Sequence, residues 1–160
     1  MRSTQGLLVS LFMLVAGCSS KPTAQSCATV DKGSRPGVTL TWRMQHGSMD
    51  NDPPRAKVKL LLSGATKGEV DVGELFGDCK LANVGALPDV PAAGSKITEV
   101  ECTHGNVVQY ATVFLVEPGK IVVRRYERVD DSLKPARDLQ TLETPPCAVF
   151  AADFAQAGEL

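Results

Sequence analysis

Short segments of alternating apolar and polar residues, turn residues between them and no long stretch of helical periodicity predict an all-β chain. The expected architecture is a small antiparallel β-sandwich or barrel of about six to seven strands. The first strand is the cleanest. Val38, Leu40, Trp42 and Met44 share one face and Thr39, Thr41, Arg43 and Gln45 the other, the pattern of a strand with one side against a core. Trp42, the only tryptophan, lies on the apolar side and is read as core.

Asp50-Asn51-Asp52-Pro53-Pro54 then breaks the chain, and Ala56, Val58, Leu60 and Leu62 alternate with Lys57 and Lys59 in an antiparallel second strand. Gly64 and Gly68 flank the next turn. Val70 and Val72, alternating with Glu69 and Asp71, mark a short third strand before Gly73, and Gly73 and Gly77 suggest a tight turn that positions Cys79. Residues 80–95 carry two prolines and two glycines without periodicity and read as a surface loop. Ile97 to Cys102 is a fourth strand and Gly105-Asn106 a turn. Val107 to Val116, apolar on both faces, is a central fifth strand. Pro118-Gly119 suits a type II turn, in which a fixed φ precedes a positive one, and Lys120 to Val129 returns as the sixth strand. Beyond Asp130-Asp131 the pattern is mixed: a short helical turn is expected near Arg137–Leu142, then Pro145-Pro146, then a last strand at Cys147–Phe150 with Phe154 as a late core contact.

The N-terminus gives an address. Arg2 precedes an apolar run from Leu7 to Ala16, of secretory-signal length and too short for a stable membrane span, and Leu14-Val15-Ala16-Gly17-Cys18 closes it with small residues and a cysteine. Residues 1–18 resemble the lipobox signal of bacterial lipoproteins. The resemblance implies diacylglycerol on the Cys18 thiol, cleavage between Gly17 and Cys18, acylation of the new amine, and a membrane held through the lipid anchor. Ser19, where an inner-membrane retention signal would carry Asp, favours the outer membrane. The chain therefore divides into a signal peptide (1–17), a lipidated tether (18–26) rich in Ser, Lys, Pro, Thr, Ala and Gln, and a single β domain (27–160).

With Cys18 lipidated, Cys27, Cys79, Cys102 and Cys147 remain, an even set that an exported chain closes as two disulfides in any of three connectivities. Cys79–Cys102, around the 80–95 segment, and Cys27–Cys147, joining the ends of the domain, are favoured. Each would contribute about 3 to 5 kcal/mol by loop closure. No CxxC pair points to metal, and no cofactor is expected. Loss of Arg2 leaves 16 basic against 18 acidic residues, which speaks against nucleic acid as a partner.

Few residues suggest chemistry. A hydrolytic base would have to be His46 or His104, the only two histidines, and no Gly-x-Ser-x-Gly elbow accompanies them. Asp50, Asn51 and Asp52 offer oxygen ligands, but Pro53-Pro54 interrupts the spacing a calcium loop needs. Arg124, Arg125 and Arg128 concentrate positive charge on one strand and form a candidate anion-binding site, with Arg124, Tyr126 and Arg128 on a common face. The expectation is an envelope lipoprotein with a non-catalytic binding or interaction domain, its partner an envelope protein or cell-wall polymer. The alternatives are a hydrolase using His46 or His104, an enzyme-inhibitor-like module, and a coat protein without a discrete ligand.

Overall fold

The computed structural model describes residues 27–47 and 54–157. The signal segment 1–17, the lipidation site Cys18, the tether 18–26 and the Asp50-Asn51-Asp52 turn lie outside the described residues. Among those described are ten strands: β1 (Gly37–His46), β2 (Arg55–Gly64), β3 (Gly68–Phe76), β4 (Asp78–Leu81), β5 (Lys96–His104), β6 (Val107–Glu117), β7 (Lys120–Val129), β8 (Ser132–Leu133), β9 (Arg137–Glu143) and β10 (Val149–Ala157). They form two sheets, open rather than closed into a barrel, so the sandwich alternative holds. One sheet has the order β10-β1-β2-β3; the other has β4-β5-β6-β7-β8, with β9 also pairing β7.

Alternation dictates which side of each strand faces inward. Val38, Leu40, Trp42 and Met44 of β1, each at most 1% exposed, pack with Val58, Leu60, Val70 and Leu75 of the same sheet. Val100, Ala111, Val113, Ile121 and Val123 close the core from the opposite sheet. Each large buried side chain contributes about 1.5–3 kcal/mol of transfer free energy, so this shared interior, rather than any single bond, holds the sheets together. Polar ties cross it as well: Trp42 Nε1 donates to Thr98 Oγ1 at 3.0 Å, both residues being buried, and the Phe76 N–H of β3 donates to Gln109 Oε1 of β6 at 3.0 Å.

β6 is central, between β5 and β7, as its two-sided apolar pattern predicts, and in the β6–β7 turn Gly119 has φ 86° after Pro118. Gly77 is required for a different reason. Its φ is 100°, and a Cβ there would lie 2.3 Å from the Thr103 carbonyl oxygen, so β3 can pass into β4 under the end of β5 only at a glycine. Both disulfides form in the favoured connectivity, Cys79–Cys102 between facing residues of β4 and β5, and Cys27–Cys147 across a separation of 120 residues.

Three expectations need correction. Arg137–Leu142 is not a helical turn but most of strand β9. Its register against β7 skips one residue at Leu139, and that bulge separates the core contacts Leu139 and Leu142 by three, which mimics helical spacing. The last strand is Val149–Ala157 rather than Cys147–Phe150, and it pairs with β1 in parallel, Val38 opposite Phe150 and Trp42 opposite Phe154. A parallel neighbour is possible because the chain crosses from one sheet to the other before β10 and needs no hairpin. Finally, the strands number ten, the extra ones including the short β4 and β8 that single-strand patterning does not resolve.

Candidate binding groove

β10 is the end strand of its sheet, and its geometry determines what its open side offers. Val149 donates its N–H to Pro36 on the β1 side at 2.9 Å. Because backbone groups alternate sides along a strand, the odd-numbered residues of β10 bond to β1 and the even-numbered ones point their N–H and C=O outward. No described strand pairs with this edge. The Phe154 N–H is held by the neighbouring Asp153 carboxylate at 2.7 Å, which leaves the N–H groups of Phe150 and Ala152 open among the described residues.

The side chains of the same residues face the other way, toward the interior. Phe150 and Phe154 pack against the core, whereas Ala152 is exposed although its pleat directs it inward like its β1 partner Leu40. The sheets part here. Between β10 and the segment running out of β4 lies an open, mainly apolar groove of about 460 Å³, lined by Leu81, Ala82, Leu87, Ile97, Phe150 and Ala152. Leu81 is 40% exposed. A second hollow of about 110 Å³ continues past Leu87 and Phe150 to Lys32 and Asp89.

Of residues 80–95, expected as a surface loop, Lys80 and Leu81 belong to β4 and the rest, 82–95, forms the far wall of this groove. It is pinned at its outer end, where Lys32 Nζ meets Asp89 Oδ1 at 2.5 Å and Arg35 Nη1 donates to the Asp89 carbonyl at 2.8 Å. The Lys32 hydrogen bond holds the Asp89 carboxyl below its ordinary range. The Cys27–Cys147 bridge stands beside the same end, lining with Pro91, Pro118 and Phe150 a pocket of only about 20 Å³, room for about one water.

The three arginines do not converge. Arg124 is engaged by Asp138 through two bonds, Nε to Oδ1 at 2.5 Å and Nη2 to Oδ2 at 3.2 Å, and lies 5.3 Å from the Phe114 ring centre. Arg125 points to the opposite face, toward the Val72 carbonyl, and burial pulls its pKa down. Arg128 shares the face of Arg124, with its Nε buried and unbonded. A joint anion site built from all three is therefore not formed. Period-two alternation already separates Arg124 from Arg125, so this outcome was legible in the sequence.

The sequence reading missed the polar cluster on that outer face. Glu99, 5% exposed, accepts from Tyr126 Oη, from Thr112 Oγ1 at 2.5 Å and from Lys96 Nζ at 2.8 Å, and Tyr126 stacks on Tyr110 with ring centres 4.7 Å apart. Burial and the Glu99 bond both raise the Tyr126 pKa; burial depresses Lys96, but the bond and charge of Glu99 outweigh it and raise that pKa too. The signal available was a glutamate in the middle of the Ile97–Cys102 strand; its pairing with Thr112 required the β5–β6 register.

His46 and His104 sit at one end of the sandwich, away from the groove. His46 lines a polar cleft of about 290 Å³ with Gln45, Arg55, Lys57 and Glu74, while His104 packs near Gly77; both are exposed. The described residues contain no group of three or more His, Cys, Asp or Glu side chains placed to hold a metal ion, and none of their helices is long and apolar enough to cross a membrane. Searches against protein-family models, curated proteins and solved structures give no match to this chain.

Proposed function

We propose that this chain is a lipoprotein of the cell envelope, anchored in the outer membrane through Cys18, whose sandwich binds an extended segment of an envelope protein along β10. The observation that supports this reading is the coincidence of two features in one place. An open strand edge supplies main-chain donors and acceptors, and directly beside it an apolar groove accepts alternate side chains of an added strand. A cell-wall polysaccharide has no N–H and C=O ladder to match the edge, and it has little apolar surface to fill a groove lined by leucine, isoleucine and phenylalanine. A polypeptide has both.

The address and the binding site are tested separately. Metabolic labelling with palmitate should mark the wild-type chain and not Cys18→Ala; equal labelling of both would remove the anchor. For the site, backbone hydrogen exchange reads the amides directly. Those of Phe150 and Ala152, open in the isolated domain, should become protected in the bound state, and protection confined to the outer face of either sheet would overturn the assignment.

A further inference from the structure

The edge of β10 is complementary to itself, and from this we infer that its occupant is a second copy of the same chain, paired antiparallel through β10 about a two-fold axis at Ala152. The inference rests on the strand-addition reading above and names its partner. The open donors and acceptors belong to even-numbered residues, so two such edges form hydrogen-bonded pairs between even positions. Centred on Ala152, Phe150 of one copy faces Phe154 of the other, twice.

Asp153 selects that register. Centring the pair on residue 153 would give the longest overlap of Val149–Ala157, but it would set two like carboxylates directly opposite, which is unfavourable for facing strand residues. A shift by one position places each Asp153 opposite Ala151 instead. The Phe154 N–H then exchanges its Asp153 carboxylate for the Phe150 carbonyl of the second copy.

The side chains suit this arrangement. Ala151 and Ala152 are small and exposed and put no bulk in the way of close approach. The inward-facing Phe154 of the second copy would continue the apolar row Phe150, Ala152, Phe154 and lie over the groove lined by Leu81, Leu87 and Ile97. Natural sandwiches commonly guard such edges with lysine, proline or a bulge. Described residues 149–155 contain none of these and only one charge, the aspartate that sets the register. The two four-stranded sheets become one of eight strands across the axis, an isologous contact in which each copy supplies the same residues. The two Cys27 ends then point in opposite directions, so both anchors reach one bilayer only with the strands lying along its surface.

The experiment uses the full lipidated chain. Its protein mass in detergent is measured by light scattering, and a photo-crosslinking residue at Ala151, on the outer face beside the axis, reports the neighbour in intact cells. The expected result is twice the chain mass and an adduct joining two β10 segments. Ala152→Pro removes an N–H that bonds nothing in the single chain, so it should halve the mass while leaving the far-ultraviolet spectrum and urea midpoint in place. Should that variant fail to fold, Ala152→Lys sets two like charges on the axis and should give the same halving. A single-chain mass with an adduct from Ala151 to a different protein would overturn the second copy while leaving strand addition standing. A single-chain mass with no adduct would overturn both, and a double mass unaffected by either substitution would place the contact elsewhere and refute the inference.

Discussion

Replacing Trp42 by Phe tests a buried side-chain hydrogen bond that crosses the sandwich between β1 and β5. Two terms contribute. The smaller ring leaves unfilled volume between β1 and β5, worth about 1 kcal/mol. The Thr98 hydroxyl, 1% exposed, also loses its partner at 3.0 Å, and an orphaned buried polar group costs about 1–3 kcal/mol. Trp42→Phe should therefore cost about 2–4 kcal/mol. Thr98→Val strands the indole N–H instead and should cost about 1–3 kcal/mol. The double variant removes both polar groups and keeps only the volume loss, so it should be less destabilised than the sum of the single changes by about 2 kcal/mol or more. Urea unfolding of the Cys18→Ala chain followed by far-ultraviolet circular dichroism measures all four corners; fluorescence does not serve, since Trp42 is the sole tryptophan. Additivity within about 0.5 kcal/mol would mean that the two side chains are not coupled and that apolar burial alone joins the sheets there.

The two disulfides should differ in weight. Removing Cys27–Cys147, which closes a separation of 120 residues, should cost about 5 kcal/mol by loop entropy, against about 3 kcal/mol for Cys79–Cys102 with its separation of 23; the reverse order in urea unfolding would contradict this account. Gly77→Ala should destabilise by about 2 kcal/mol or more, because it adds a Cβ against the Thr103 carbonyl oxygen at a positive φ, and an unchanged midpoint would show that the β3–β4 junction differs from the one described. Alkaline pH should weaken the Glu99 cluster. The folded pKa values of Lys96 and Tyr126 are both raised, so their contributions are complete below the unfolded values near pH 10 and are lost as pH rises through the folded values. The drop in urea midpoint from about pH 9 to about pH 11.5 should shrink in Glu99→Gln, and an equal drop in both proteins would discount the cluster.

What could be read from sequence depended on whether local pattern was sufficient. β1, β2 and the β6–β7 hairpin follow from alternation and from Pro118-Gly119, because each buries a strand face against the opposite sheet. The cysteine pairing was only favoured among three open connectivities, by the composition of the enclosed segment and the position of the chain ends, and the structure selects it. β9 was obscured by a single extra residue at Leu139, which no local pattern distinguishes from helical spacing. The groove was less visible still. Phe150, Ala152 and Phe154 alternate as a strand should, but that β10 runs parallel to β1 and ends its sheet depends on pairing across more than a hundred residues. The separation of Arg124 from Arg125 was available in the alternation itself, whereas the Asp138 partner of Arg124 required the β7–β9 register.

Photo-crosslinking in intact cells tests most directly whether this protein binds through β10. The crosslinker is placed in turn at Ala151 and Leu87, beside the edge and in the groove wall, and at Leu61 and Tyr110, on the outer faces of the two sheets. Polypeptide adducts from Ala151 and Leu87, with none from Leu61 or Tyr110, are the predicted result. Adducts from Tyr110 or Leu61 alone would move the binding surface to an outer sheet face and contradict the account.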